Sequence, residues 1–553
     1  MKRILIIIFL AFEFSKCLTA QTTTKYWVKL TDKNGSPYSV SNPSAFLTPR
    51  AINRRTTQNI AITTSDLPVN PAYISQIQGT GALVLKTSRW LNAVVIDAPN
   101  ATILAAVNNL PCVQSSTPVA RHRRSPDPIE KATDLKISTS KITGTNSYNY
   151  GGSLNQISML NGVCMHDQGY DGKNMLIAVL DAGFLNANTL AVFDSLWINN
   201  QILGTRDFVV GDTMVFEDFN HGSSVLSCMG GNIPGQLVGT APKAKYWLLR
   251  TEDANSELII EEDNWVRGAE FADSVGADLI NSSLGYTTFD ISSQNHTYSD
   301  LTGKVSVASI AATMAARKGM IVCNSAGNDG GGPWQFVGVP ADADSILAVG
   351  SVDAMGNYSS FSSTGPTADG RIKPDVAAKG SGTTVASAFS GNIITSSGTS
   401  FSSPVTCGMV SCLWQANPGK TNMEIITAIK QSASQYQTPD NNLGYGIPNF
   451  CKADSILKGF LKITKYSLDD LILLSPNPFS DELSFAWLPS TNQDITYEVF
   501  DMSGRLLITG QHSIKQKSGL EVHIKGVDAL AKGMYIFVAT TSTTRFTKKI
   551  IKD

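Results

Sequence analysis

Apolar residues in this chain follow two rhythms. Between positions 150 and 460, short unbroken apolar runs occur at Met175–Leu180, Leu279-Ile280, Met320–Val322 and Ile346–Val349. They alternate with stretches of helical period, Asn264–Val275 and Ser306–Lys318. Unbroken runs suit strands buried on both faces, and their alternation with helices predicts a parallel α/β sheet. A further run, Val405–Trp414, predicts a helix opening close to Ser400. Upstream, residues 21–124 mix strand-like runs (Tyr26–Leu30, Ala82–Leu85, Asn92–Ile96) with helical stretches (Pro49–Arg55, Ala101–Asn108), predicting a small α+β domain. Downstream, residues 468–553 predict an all-β domain, with strands at Thr496–Asp501, Arg505–Thr509 and Met534–Thr540 and turns at Ser503-Gly504 and Lys532-Gly533.

The N-terminus has a different pattern. Lys2 and Arg3 precede an apolar run, Ile4–Phe12, too short to cross a bilayer, which takes about 20 residues. Small and polar residues follow, so residues 1–20 read as a secretory leader cut after Ala20. No other stretch is apolar enough to span a membrane. Between the first and second domains, Arg121-His122-Arg123-Arg124 is followed by Ser125-Pro126-Asp127-Pro128, an exposed linker and a processing site.

Composition narrows the classes. With 553 residues the chain exceeds one core, and 42% hydrophobic and 16% charged residues describe a globular protein. A net charge of -1 without a basic stripe argues against a nucleic-acid partner. Of eight cysteines, one is in the leader; the other seven form no C-x-x-C pair. Zinc is therefore not expected, and buried thiols with one or two disulfides are. No cofactor or metal is expected. The acidic stretch Glu261-Glu262-Asp263, a candidate for structural calcium, reads as a solvated helix start.

In an open α/β sheet, function gathers beyond the carboxyl ends of the strands. Asp181 ends the first predicted strand, Ser283-Leu284-Gly285 follow the second, and Gly327-Asn328 follow the third. His221 stands before small residues at a predicted helix start, and Ser400 stands at another. Of the six histidines, His166 reads as a polar loop residue. A serine hydroxyl needs a base in contact to act as a nucleophile, and a histidine needs an orienting carboxylate.

Asp181-Ala-Gly183, His221-Gly-Ser223, Ser283-Leu-Gly285, Ala326-Gly-Asn328 and Gly398-Thr-Ser400-Phe-Ser-Ser-Pro404 together resemble the successive motifs of the subtilisin-like serine peptidases, in that family's order. The resemblance covers residues 150–460. It implies a subtilisin-like parallel-sheet catalytic domain with the triad Asp181, His221 and Ser400. It also implies Asn328 in the oxyanion hole and Ser283, Leu284 and Gly285 as a substrate-pairing edge. Three positions depart from the commoner motif, Ala182, Ser223 and Phe401, and none removes a reacting group. Residues 21–124 then resemble the family's propeptide. Residues 468–553 are similar to the sorting domain of proteins exported by the type IX system of Bacteroidetes, through Ser475-Pro476-Asn477-Pro478, Asp501-Met502-Ser503-Gly504, Leu530–Tyr535 and Lys548–Lys552. The implied function is a secreted serine endopeptidase made as an inactive precursor. Its partners would be protein or peptide substrates, its own propeptide and the outer-membrane secretion machinery. The alternative is a non-catalytic surface binding protein on the same scaffold.

Overall fold

The computed structural model describes residues 24–120, 147–217, 219–459, 472–487, 493–514, 520–541 and 545–553. The leader and the Arg121–Arg124 cluster lie outside the described residues. Two compact units divate at Asp454/Ser455.

Within the first unit, a seven-stranded sheet forms the centre. Its order is Val376–Lys379, Leu347–Val352, Ile321–Ser325, Leu279–Ser282, Leu176–Asp181, Lys245–Arg250 and Ile202–Asp207. Every pairing is parallel. The chain works outward to one edge from the Leu176–Asp181 strand, then returns to build the other side, so the switch in direction falls beside Asp181. Leu176, Ala178 and Leu180 pack with Trp265, Val266, Ala308 and Ala312 of the helices Ile260–Val275 and Val307–Arg317. Ile177 and Val179 alternate with them and are equally buried. The helices His221–Gly230 and Thr399–Ala416 pack against each other and the sheet. The unbroken apolar run follows from this two-sided burial.

The strands Ile202–Asp207, Lys245–Arg250 and Val376–Lys379 were not expected. The helix expected over Val405–Trp414 begins six residues earlier, at Thr399, which puts Ser400 in its first turn. Pro404 lies inside this helix and has no N–H to give the Ser400 carbonyl. The Ser283 hydroxyl donates to that carbonyl instead, at 2.8 Å.

Residues 24–120 form a four-stranded antiparallel sheet, ordered Leu83–Ser88, Ala93–Ala98, Thr24–Leu30, Val113–Ala120. Its helices include Pro49–Thr57, capped by Thr48, and Ala101–Asn108, capped by Asn100. This domain docks on the helix Ile260–Val275 through buried charge. Asp273, fully buried, accepts from Arg54, from Arg55 at 2.7 and 2.8 Å, and from Arg89 at 2.7 Å. Asp66 pairs with Arg55 at 3.1 Å and with Lys318 at 2.8 Å. Glu270 accepts from the Ser88 hydroxyl and from the Arg89 and Trp90 backbone N–H groups.

Two expectations are corrected. Glu261, Glu262 and Asp263 are not solvated but buried. Glu262 meets His296 and the Ser306 hydroxyl, both at 2.5 Å, and Glu261 accepts the Asp253 and Leu258 backbone N–H groups. His166 is not in a loop but on the helix Gly162–Asp167, buried, with Nε2 3.0 Å from the Thr240 carbonyl and Nδ1 2.8 Å from the Tyr150 hydroxyl. A carbonyl only accepts, so Nε2 carries the proton and Nδ1 accepts from Tyr150. Burial pushes its pKa down, which suits a neutral structural role. Cys164 and Cys451 form a disulfide, and Cys112, Cys228, Cys323, Cys407 and Cys412 are buried thiols.

The second unit is all antiparallel. A three-stranded sheet (Ile472–Ser475, Ser484–Trp487, Leu520–His523) and a four-stranded sheet (Leu506–Ile514, Gln493–Asp501, Gly533–Thr540, Arg545–Lys552) share one core of Phe485, Val499, Phe537 and Ile550. Among the described residues, no helix is long and apolar enough to cross a membrane.

Candidate active site

Asp181 is the last residue of its strand and fully buried. Its Oδ1 accepts the Ala182 backbone N–H at 2.8 Å. His221 opens a helix whose second residue, Gly222, donates its N–H to the Gly183 carbonyl at 3.0 Å. A Cβ on Gly222 would collide with that carbonyl oxygen, so only glycine lets the helix come this close to the strand end. The Ser223 hydroxyl fastens the same turn to the Leu185 carbonyl at 2.7 Å. The result is contact between His221 Nδ1 and both Asp181 oxygens, at 2.9 and 3.1 Å. Side-chain exposure is 27% for His221 and 0% for Asp181, so the carboxylate is closed to solvent and the imidazole faces the cleft.

Ser400 shares that cleft with His221. Its hydroxyl is directed at the Ser283 carbonyl, 3.4 Å away. Together with the Ser283 hydroxyl on the Ser400 carbonyl, this ties Ser283 to the helix start in both directions. Asn328 is turned by Thr399, whose N–H and hydroxyl reach its Oδ1 at 2.9 and 3.0 Å. With Oδ1 occupied, the amide NH2 is the end presented to the cleft. Leu284 has its carbonyl held by Asn324 Nδ2 at 3.0 Å. All seven residues expected at the site, Asp181, His221, Ser283, Leu284, Gly285, Asn328 and Ser400, are therefore within one neighbourhood of strand ends and helix starts. Thr399 was missed as a positioning residue, although it lies within the Ser400 motif. Phe401 was read only as a departure, yet its ring lies 6.1 Å from the His221 ring.

The cleft encloses about 1080 Å³ and its far wall was not foreseen. Its lining includes Glu252, Asp253, Glu257, Asp290 and Asp329, with no lysine or arginine among the described lining residues. Burial, then the neighbouring Asp290, push the Glu257 carboxyl up to about 7. Burial and Glu257 raise Glu252, which accepts a hydrogen bond from the Tyr286 hydroxyl. Burial, then Glu252, push Glu261 up to about 11. Oxygens of Glu252, Glu257 and Glu261 all lie within 4.8 Å of one another, close enough to ligate one cation.

A sequence model of the subtilase family matches residues 172–446. Models of the Bacteroidota peptidase S8 propeptide domain and of the secretion system C-terminal sorting domain match residues 25–134 and 474–553. Subtilisin E of Bacillus subtilis is 27% identical over 283 residues, covering 50% of this chain and 65% of the relative. The chain thus spans less than two thirds of that relative's length. The thermostable alkaline protease of Halalkalibacterium halodurans is 24% identical over 373 residues, covering 67% of this chain and 91% of the relative. Among solved structures, MycP1 with its N-terminal propeptide removed is similar at 23% identity and a TM-score of 0.43, covering 54% of this chain and 96% of that one. Residues 172–446 are thus a subtilase-family domain, with a peptidase S8 propeptide domain ahead of it and a secretion sorting domain after it that marks the protein for export.

Proposed function

We propose that this protein is a secreted serine endopeptidase, synthesised as an inactive precursor, that hydrolyses peptide bonds through Asp181, His221 and Ser400. The observation that carries this reading is the Asp181–His221 contact, at 2.9 Å, in the cleft that also holds Ser400. With Nδ1 against a carboxylate, the imidazole keeps its proton there and presents Nε2 as the basic nitrogen. Nε2 takes the Ser400 hydroxyl proton as Oγ attacks the substrate carbonyl, and later delivers it to the leaving amine. Asp181 holds the tautomer and stabilises the imidazolium. The oxyanion of the tetrahedral intermediate receives hydrogen bonds from the Asn328 amide and the Ser400 backbone N–H, which lies in the first turn of a helix where such groups lack partners. Water then hydrolyses the acyl-enzyme by the same proton route. The Ser283–Gly285 edge pairs with the substrate backbone, as in strand addition.

In this reading residues 1–20 are a leader, residues 21–124 the propeptide, residues 150–460 the peptidase domain and residues 468–553 the domain read by the secretion machinery. The test is hydrolysis of unstructured peptides by the purified mature protein, beside Asn328→Ala. Asn328→Ala is expected to lower kcat by about 10²–10³ with a much smaller change in KM, because the amide acts on the transition state. Absence of any peptide hydrolysis by the wild type would overturn the proposal. Deleting residues 471–553 is expected to leave peptidase activity intact in cell lysates while abolishing its appearance in the medium or on the cell surface. Fractionation followed by an activity assay reads both.

A further inference from the structure

Beyond the Ser283–Gly285 edge, the cleft wall is a loop with little secondary structure of its own. Tyr286 makes one bridge, giving its N–H to the Val339 carbonyl at 2.8 Å and accepting the Val339 N–H at 3.1 Å. From Thr287 to His296 the chain holds no strand, and its regular structure is the short 3₁₀ turn Ser292–Gln294. Thr287, Thr288, Phe289 and Ile291 nevertheless line the cleft. A loop of this kind opens at small cost unless side chains fix it. The loop is closed at its base by its last two residues. The His296 N–H donates to the Thr287 carbonyl at 2.9 Å, and Asn295 Oδ1 accepts the Phe289 N–H at 2.7 Å. The His296 ring meets the Phe289 ring edge to face, with centroids 5.6 Å apart.

The same histidine ties the closed loop to the core. Its Nε2 lies 2.5 Å from Glu262 Oε1, and a carboxylate oxygen only accepts, so Nε2 carries a proton. Glu262 stands in the first turn of the helix Ile260–Val275. Its other oxygen accepts the hydroxyl of Ser306, which caps the helix Val307–Arg317. The anchor therefore belongs to two helices packed on the central sheet. Side-chain exposure is 8% for His296 and 1% for Glu262, so water hardly competes for this charge-assisted bond. In the precursor the N-terminal domain also touches the loop. Val119 and Ile291 share an apolar cluster, and the Pro118 carbonyl accepts from Gln294 Nε2 at 3.2 Å. Those two contacts leave with that domain in the proposed maturation. The His296–Glu262 contact lies wholly within the catalytic domain and stays.

We propose that His296 is a positioning residue for peptide binding, which holds the wall 287–291 against the core through Glu262 so that substrate residues remote from the scissile bond meet a preformed surface. This rests on the peptidase reading above and names what keeps its binding surface in shape. His296 is not itself among the residues lining the cleft, and it acts through the loop. A wall already in place costs no ordering when substrate arrives, whereas a loosened one is ordered at the expense of affinity. Such a loss is uniform to ground state and transition state, so it raises KM and leaves kcat alone.

The experiment compares the mature secreted protein with His296→Ala on two fluorogenic substrates. One is a single acylated amino acid on a fluorogenic amine, too short to reach the wall. The other is a long peptide with a donor and a quencher at its ends. For the long peptide, His296→Ala is expected to raise KM by about tenfold at unchanged kcat, with kcat/KM for the short substrate unchanged. His296→Gln keeps a side-chain N–H for Glu262 and is expected to recover most of the loss. Should His296→Ala not fold, Glu262→Gln is read on the same pair, with a smaller rise in KM confined to the long peptide expected. An equal loss on both substrates, a loss in kcat alone, no loss on either, or no recovery in His296→Gln overturns the positioning role while leaving the peptidase reading standing. Hydrolysis by the wild type of neither substrate, nor of any unstructured protein, overturns the peptidase reading instead.

Discussion

Ser400→Ala is expected to yield a secreted precursor of full length, folded and without peptidase activity. Replacing the hydroxyl with hydrogen removes the bond-forming atom and leaves Asp181, His221 and Asn328 in place. The loss in turnover should be about 10⁶-fold, the scale established for the serine of subtilisin itself. Only Oγ is lost, and the backbone N–H and carbonyl that Ser400 contributes to its surroundings remain, including the bond from the Ser283 hydroxyl at 2.8 Å. The thermal midpoint should therefore shift little. Intact mass and peptide mapping of wild type and variant side by side read the consequence. Wild type is expected to lose its first ~124 residues, whereas Ser400→Ala retains the segment after the leader. If both are cut alike, maturation belongs to another protease, and only the direct peptide assay bears on Ser400.

Asp273→Ala is expected to undo the docking of the N-terminal domain. This carboxylate is fully buried and receives three guanidinium groups, Arg54, Arg55 and Arg89, all from that domain. Breaking a buried pair from one side costs about 3–5 kcal/mol, because the partner charge stays buried without compensation. Here three cations would be left facing one another, and Arg55 already has Nε and Nη1 buried without hydrogen bonds. In the uncut Ser400→Ala background, the N-terminal domain of Asp273→Ala should become sensitive to an added protease that spares it in the parent. The pH dependence has a definite sign. The guanidinium groups hold Asp273 below its ordinary value despite its burial, and Arg55 and Lys318 bring Asp66 to about 2. A depressed carboxylate stabilises docking above its unfolded value near 4 and loses that contribution as the pH falls through its folded value. Both groups therefore hold the domains together across neutral and mildly acidic conditions; Asp66 loses its contribution between about pH 4 and 2, and Asp273 loses its own only as the pH falls below its unfolded value.

The site was legible in the sequence because its chemistry is written in short local patterns. Gly222 beside His221 marks a place where backbone comes close as a helix begins, and Gly398-Thr399 before Ser400 mark another helix start. The buried strands were legible where apolar residues run unbroken, as in Leu176–Leu180. The strand Ile202–Asp207 escaped notice because it is a half-exposed edge containing Gly204, Arg206 and Asp207, with neither an apolar run nor an alternation to betray it. The acids of Glu261–Asp263 were misread for a different reason. Their burial depends on partners distant in sequence, such as His296 and Ser306 for Glu262, and on the N-terminal domain lying over the helix. The anionic cleft wall was illegible likewise, since Glu257 and Asp290 become neighbours only when the loops after two parallel strands are brought side by side.

The disulfide between Cys164 and Cys451 bears on how such an enzyme survives its own company. The bond joins residues 287 positions apart, one near the start of the central domain and one near its end. Chain ends are where a folded domain frays and where proteolytic attack begins. With the two ends covalently tied, neither can peel away alone. Crosslinking a loop this long also restricts the unfolded chain, by about 6 kcal/mol in the chain-entropy account. Export into an oxidising environment supplies the bond, and the proposed removal of the N-terminal domain leaves it intact, because neither cysteine lies in that domain. Endurance against self-digestion is thus in place before the proposed maturation takes the N-terminal domain away.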